Sequence, residues 1–530
     1  MGMKSNYFLM AVAAVAVGCS SPKVDRPVAK APRAVSFRAP EIIPAVKSID
    51  YQADVEVRLD KSQTLTVRCP DAAATDWVRD HAKQWFGFSP SVVAGTPPAG
   101  GAAEGYRLVA KPDGIAIEAA SLQGVRYAMF ALRQVAERDS CGDTVKEFRL
   151  PALTIEDEPV LAFRGIHLCW LPELSADLIE REIRAAAFYR FNVVVLESWG
   201  VFRSERHPWF GWRNGPMTKA VVRHLVEVAR DLGVTLVPQL NVFGHASASR
   251  SCVGKHATLD FGPERQPLFE PGCDGGMDPS VNSGWNWCLS NPAAVETVRD
   301  LVVEMHEAFG NPPYFHIGCD EADAPTCASC RAAPYAELVC RHITGVSELL
   351  KSRGARAMMW HDMLIKRGDP RWKGFYANGS DETARLPSML PKDVIVCDWY
   401  YGSDPGGTQS EGGRTSVTNA YPTLEYFSKT CGFDTLTCPW EESNGTRAQT
   451  KYARENGLFG VLETTWHHFG GMRFPKMVQT SACGAWGRGE KRSYGHFATL
   501  WRQCGWDMGR QSYSLSGWND TQVTRDILER

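Results

Sequence analysis

YFHIGCDEAD, Tyr314 to Asp323, opens as an apolar run and ends in two adjacent carboxylates, Asp320 and Glu321. Successive side chains on a strand point to opposite faces, so neighbouring acids ought to look away from each other. Within FHIGCDE, His316, Gly318 and Asp320 share one face, and Phe315, Ile317 and Cys319 the other. Glu321 can join Asp320 only where the strand has ended and alternation lapses. The order of residues therefore puts the pair at a strand-to-loop junction. Spacing alone leaves two readings open: two groups aimed into one site, or an Asp320 that caps the following helix beside a solvated Glu321.

Seven other stretches share this texture: FRGIHLCW (163–170), FNVVVLESW (191–199), VTLVPQLNVFGH (234–245), ARAMMWHDML (355–364), DVIVCDWYYG (393–402), FDTLTCPWEE from Phe433, and FGVLETTWHH (459–468). Amphipathic runs such as MTKAVVRHLVEVARDLG and NPAAVETVRDLVVEMHEAFG fit between them. Eight strand–helix units in sequence predict an α/β fold, a (β/α)8 TIM barrel over residues 151–490. An open, doubly wound sheet is the alternative, but no glycine-rich phosphate loop supports it.

The 530 residues also leave room for a smaller domain. Over 48–150 a small α/β domain is predicted. SQTLTVRC reads as a strand and DAAATDWVRDHAKQWFG as a helix. EGYRLVAKPDGIAIEAA gives two strands around a Pro-Asp-Gly turn, and SLQGVRYAMFALRQVAE a helix capped by its serine. Residues 491–530 form a C-terminal extension with no reading of its own.

At the N-terminus, Lys4 precedes an apolar run from Tyr7 to Val17 and then Gly18-Cys19. The run is too short to span a bilayer and suits a signal sequence over 1–19. A small residue before cysteine resembles a bacterial lipobox, with Cys19 lipidated; a plain secretory signal is the alternative. The expectation is an exported lipoprotein of the outer membrane, on its periplasmic or cell-surface side, held only by its lipid. Residues 20–47, rich in Pro, Ala and Lys, suit a tether.

A net charge of −2 lacks the basic footprint of a nucleic-acid binder. With sixteen cysteines and an oxidising destination, some pairing is expected. CASC, Cys327 to Cys330, reads as half of a zinc site with Cys319 or Cys340, as a local disulfide, or as unpaired thiols. One CxxC is weak grounds for a metal, and neither metal nor cofactor is expected. Oligomeric state is not legible.

Seven of the eight runs end in polar or aromatic residues: Glu197 and Trp199; Asn241 and His245; Asp320 and Glu321; Trp360, His361 and Asp362; Asp398, Trp399 and Tyr400; Trp440, Glu441 and Glu442; Trp466, His467 and His468. Catalytic groups gather at the carboxyl ends of barrel strands. An acidic, aromatic cup favours a neutral polyhydroxylated ligand, whose hydroxyls donate to carboxylates and whose ring stacks on indole.

His316-Ile317-Gly318-Cys319-Asp320-Glu321 resembles the His-x-Gly-Gly-Asp-Glu motif of glycoside hydrolase family 20, the β-N-acetylhexosaminidases. The likeness runs from about residue 48 to 490. EGYRLVAKPDGIAIEAASLQGVRYAMFALRQV is similar to that family's small N-terminal domain, IEDEPVLAFRG to its entry into the barrel, and LVPQLNVFGHAS to its Pro-Glu-x-Asp-x-Pro-Gly-His segment. The resemblance implies a retaining hydrolysis of terminal β-linked N-acetylhexosamine in which the substrate's own acetamide oxygen is the nucleophile and an oxazolinium ion forms, one of the exceptions to the two-carboxylate scheme. It implies Glu321 as general acid, with its pKa raised by its neighbour, and Asp320 as the group that holds the acetamide N–H. His245 is implied in the network around Glu321, a packed core histidine being the other reading. Trp360, Trp399 and Trp466 are implied as the walls of the sugar subsite.

The sequence also departs from the family. Where an arginine grips the sugar after the first strand, CWLPEL places Pro172. The second strand ends LESWG instead of His-x-His and Asp. The seventh offers Glu441 where a tyrosine bonds the acetamide, and the eighth offers His468 where a glutamate stands. Three readings follow. The first is an exo-hexosaminidase of altered specificity that reads its amino sugar through Glu197, Glu441, His467 and His468. The second is a glycosidase without acetamide participation, using Glu441 or Glu197 as second carboxylate. The third is a sugar-binding lipoprotein without turnover. Retention of both Asp320 and Glu321 favours the first.

Overall fold

The computed structural model describes residues 36–141, 144–171, 174–211, 215–246, 262–273, 284–401, 421–440, 443–466 and 473–487. Barrel strands 1 to 8 are, in chain order, Phe163–Trp170, Val193–Ser198, Thr235–Gln239, Tyr314–His316, Arg356–Trp360, Ile395–Trp399, Asp434–Cys438 and Gly460–Thr464. All pair in parallel, and Gly460–Thr464 lies in register with Phe163–His167, which closes the barrel. The (β/α)8 barrel is therefore present, and closure rules out the open sheet.

Both faces of these strands are buried, so they read as continuous apolar runs. Val193, Val195, Val237, Met358, Ile395 and Leu436 fill the barrel. Val194, Leu196, Leu236, Met359 and Val396 face the helices. Helix starts follow local chemistry. Ser175 caps Ala176–Phe188, Thr218 caps Lys219–Asp231, and Asn291 caps Pro292–Ala308 with proline in its first turn.

Strands 2 to 8 are shorter than the apolar runs that predicted them. Strand 4 is the extreme case: it stops at His316, four residues before Asp320. The backbone then enters the left-handed region at Gly318 (φ +65°), Cys319 (+79°) and Glu321 (+46°). A Cβ on Gly318 would lie 1.8 Å from Asn241 Oδ1, so the position needs glycine for space as well as for φ. Cys319 is buried with Phe315 and Ile317 in the layer between barrel and helices.

The N-terminal domain is a seven-stranded sheet carrying the helices Ala73–Phe86 and Leu122–Val135. The strands Thr64–Arg68, Tyr106–Lys111 and Gly114–Ala119 stand where the sequence placed them, and Ser121 caps the second helix. Two long strands, Ser48–Leu59 and Thr144–Asp157, were not anticipated. They pair with each other across a register shift between Gln52 and Glu56. The first is half exposed and rich in charge, so its strand character comes from the partner.

Buried charge pairs hold this domain near the amino ends of the strands. Arg190 meets Asp157 at 2.6 Å, both side chains fully buried, and the Trp486 indole donates to the same carboxylate. Arg164 donates to Glu104 and to the Tyr127 hydroxyl, each at 2.7 Å. Buried guanidinium groups need such partners. The carboxyl ends of the strands stay open for chemistry.

Candidate active site

The left-handed turn after strand 4 answers the question of the adjacent acids. Asp320 and Glu321 belong to no strand, and both approach one imidazole. His245 Nε2 lies 3.4 Å from Asp320 Oδ2 and 3.3 Å from Glu321 Oε2. His245 follows strand 3 and is itself left-handed (φ +50°). Its neighbour Gly244 leaves no room for a Cβ, which would meet the Asp320 carbonyl at 2.3 Å. The close approach of these two turns fixes the triad. Trp285 packs over His245 with ring centroids 4.1 Å apart, and its indole donates to the Glu321 carbonyl at 3.0 Å.

The two carboxylates differ in exposure. Asp320 is buried, whereas the Glu321 side chain keeps 36 % of its exposure. Burial pushes the Asp320 carboxyl up to about 8; His245 opposes this, while the charges of Asp362, Glu321 and Glu197 add to it. Within the pair, Asp320 is the member that burial drives up. The backbone N–H of Glu321 donates to Asp362 Oδ2 at 3.0 Å, and Asn378 donates to the same oxygen at 2.9 Å.

Glu197 sits deeper, at the end of strand 2. It accepts from Asn241 at 3.0 Å, lies 3.0 Å from His167 Nε2, and takes the Cys169 thiol at 3.4 Å. Burial alone would raise its pKa, but the bond to His167, its charge and the charge on His245 hold it down to about 2. Its oxygens face protein groups.

The aromatic wall forms from strands 5, 6 and 8. Trp360 and Trp466 stand 5.6 Å apart, with His167 beneath both. Trp399 packs at a tilt against Tyr376, ring centroids 4.1 Å apart. The Trp466 indole donates to the Tyr401 hydroxyl at 2.7 Å. Alternation from Trp399 points Tyr401 inward, a signal that the sequence contained and that the choice of Trp399 alone overlooked. The same count from Trp360 selects Asp362. Trp285 lies in a loop, where no periodicity marks it. Two strand-end groups leave the cup: His361 and Asp398 lie 3.5 Å from each other and face the helical layer, near Phe427 and Thr423.

Cys19, Pro172, Glu441, Glu442, His467 and His468 lie outside the described residues. CASC is placed, and its partners are neither Cys319 nor Cys340. Cys319 Sγ turns to the Ile317 carbonyl and Cys340 Sγ to Thr344. Cys327 and Cys330 instead gather with Cys288 and Glu270. A second cluster with metal-ligand chemistry, His167, Cys169 and Glu197, is the hydrogen-bonded set under the indoles.

A closed (β/α)8 barrel with an acid pair, a histidine and indole walls at its carboxyl end defines the class as a barrel hydrolase of the glycosidase type. The comparisons narrow it. A family model described as glycosyl hydrolase family 20, domain 2, matches residues 39–158, and the catalytic domain model of that family matches 195–467. The chain belongs to glycoside hydrolase family 20. The catalytic match begins inside strand 2, so the departing stretch after strand 1 lies outside it.

Similar curated proteins include a beta-hexosaminidase of Porphyromonas gingivalis, 25 % identical over 49 % of this chain and 36 % of the relative. A chitooligosaccharidolytic beta-N-acetylglucosaminidase of Bombyx mori is 25 % identical over 59 % and 52 %. The chain thus spans about half or less of these relatives' length. Among solved structures, a beta-N-acetylhexosaminidase of Bacteroides fragilis superposes with a TM-score of 0.64 at 19 % identity, covering 88 % of this chain and 96 % of the other. An exo beta-N-acetylglucosaminidase of Vibrio harveyi gives 0.63 at 15 %, covering 88 % and 78 %. At these identities the structural likeness speaks for the fold.

Proposed function

We propose that this protein hydrolyses terminal β-linked N-acetylhexosamine by a retaining, substrate-assisted route. The observation that carries the reading is the pairing of a buried Asp320 with a more open Glu321 around one histidine. The open acid can reach both a leaving oxygen and water. Glu321 protonates the glycosidic oxygen as the acetamide oxygen closes on the anomeric carbon, and it then takes a proton from the attacking water. Asp320 accepts the acetamide N–H and faces the positive charge that develops as the ring forms. In the free enzyme, burial disfavours the Asp320 anion and keeps its proton on. With substrate bound, the acetamide N–H donates to Asp320 and favours its anion, so the proton resides on Glu321.

Glu197 supports this reading against a two-carboxylate mechanism. Its oxygens are engaged by His167, Asn241 and Cys169, which leaves it a poor nucleophile. Tyr401 supplies a phenolic hydroxyl in the cup, and its bond from Trp466 leaves its own proton free for a ligand oxygen.

The test is a panel of aryl glycosides with wild type and Glu321→Gln. The reading expects turnover of the β-N-acetylglucosaminide or galactosaminide, inhibition by a thiazoline analogue, and loss of turnover in the variant. Turnover of β-glucosides lacking the acetamide would point to a second carboxylate, and saturable binding without hydrolysis to a sugar-binding protein. Export as a lipoprotein is proposed on the pattern ending at Cys19 alone. Palmitate labelling that persists in Cys19→Ala would remove it.

A further inference from the structure

The cysteines of CASC have a use that hydrolysis does not assign. Cys288 Sγ lies 3.8 Å from Cys327 Sγ and 3.9 Å from Cys330 Sγ. The Glu270 carboxylate completes the group, and all four ligand atoms lie within 4.8 Å of one another. Zinc bonds thiolate sulfur at about 2.3 Å, so the edge of a tetrahedral site between two sulfurs is about 3.8 Å. Cys288 stands at that spacing from both Cys327 and Cys330. A disulfide needs sulfurs about 2.05 Å apart, so none of these contacts is one.

The surroundings orient the ligands. The Cys330 N–H points at Cys327 Sγ at 3.2 Å, a bond that a thiolate accepts. Glu270 Oε2 accepts from the N–H groups of Thr326 (3.0 Å) and Cys327 (2.8 Å). Cys288, Cys330 and Glu270 are buried and Cys327 partly so. A groove of about 670 Å³, lined by Phe269, Pro271 and Ser329 beside Cys288 and Cys327, gives an ion a way in. From these distances we propose that Glu270, Cys288, Cys327 and Cys330 form a structural site for one thiophilic divalent cation, with zinc the fitting ion. Three thiolates select a soft metal, and four protein ligands leave no open position for chemistry. Binding releases the thiol protons to solvent and changes no oxidation state.

The site joins two loops. Glu270 and Cys288 lie between strands 3 and 4, and Cys327 and Cys330 follow the acid pair. Trp285 and Asn286 stand just before Cys288. The first donates to the Glu321 carbonyl, and the second exchanges two bonds with the backbone of Asp323. The ion therefore fixes the loop that backs the general acid. This link to turnover rests on the proposed function, whereas the metal site itself does not.

The test uses the full chain, purified without chelator and analysed for metal content, then stripped and refilled with Co²⁺ under reducing conditions. One zinc per chain is expected, and the cobalt form should show thiolate charge-transfer bands and the intense visible bands of a tetrahedral site. Cys330→Ser and Cys288→Ser should lose both signals, Glu270→Gln should weaken the metal at least about 10-fold, and Cys340→Ser should keep it. Glu321→Gln should lose turnover and keep the metal, which separates failure of this site from failure of the glycosidase reading. Should the cysteine variants not fold, the wild type still decides: chelation should expose three further thiols to a thiol reagent. A chain that purifies without metal and gives no cobalt bands, or peptide mapping that finds a disulfide among Cys288, Cys327 and Cys330, would overturn the proposal.

Discussion

The backbone N–H of Glu321 donates to the carboxylate of Asp362 at 3.0 Å, tying the end of strand 4 to the end of strand 5. Glu321 is left-handed at this point, so the bond holds a conformation the chain does not favour by itself. Asp362→Ala should lower kcat on an aryl N-acetylhexosaminide by about 100-fold, the cost of a catalytic group misplaced by an ångström. Asp362→Asn, which keeps an accepting oxygen, should recover part of it. Steady-state kinetics decides; an unchanged kcat in the alanine variant would remove Asp362 from the positioning of Glu321.

The acid pair predicts a pH profile. Burial keeps the Asp320 carboxyl protonated up to about pH 8. Activity in kcat/KM should therefore fall as pH rises through about 8, because the pair then loses the proton Glu321 must donate. Asp320→Asn removes the carboxyl that titrates there, so the alkaline limb near pH 8 should move to lower pH as overall activity drops. A limb that stays in place would assign it to another group.

Glu197 works in the opposite direction on stability. Its folded pKa of about 2 lies below its ordinary 4.5, so its contribution is present above about pH 4.5 and is lost as pH falls toward 2. Glu197→Gln should lower stability at pH 7 by up to about 3 kcal/mol, following about 1.4 kcal/mol per pKa unit. The gap from wild type should narrow below about pH 4.5 and close toward about pH 2. Denaturant titrations at the two pH values measure it.

Gly318→Ala should be among the costliest single-methyl changes in this protein. It combines a left-handed φ with a Cβ 1.8 Å from Asn241 Oδ1. A loss of about 2 kcal/mol or more in unfolding free energy is expected, and displaced Asn241 should also disturb Glu197. Thermal unfolding at matched pH checks it.

Tyr401→Phe removes the hydroxyl that Trp466 holds in place. A fall in kcat/KM of about 10-fold, the scale of one hydrogen bond, is expected on acetamido sugars. An equal fall on a glycoside without the acetamide would exclude the acetamide as its partner.

The barrel was legible because buried parallel strands write themselves as unbroken apolar runs, and eight of them alternate with amphipathic helices. The motif from His316 to Glu321 and the N-terminal helices were legible for similarly local reasons: a strand end, a serine cap, a Pro-Asp-Gly turn. Ser48–Leu59 escaped notice because a half-exposed, charge-rich strand is stabilised by its partner and not by its own pattern.

The sequence by itself determined the fold class, the acid pair and the indoles, since each rests on residues close together in the chain. Only the tertiary structure decided which of them meet. It brought His245 between Asp320 and Glu321, turned His361 and Asp398 away, and gave the raised pKa to Asp320 through burial. It also drew Cys288 and Glu270 to the CASC turn, across 39 and 57 residues of chain, in place of the nearer Cys319 and Cys340. Such choices depend on how loops from different strands pack over the barrel mouth, and spacing along a chain holds no record of that packing.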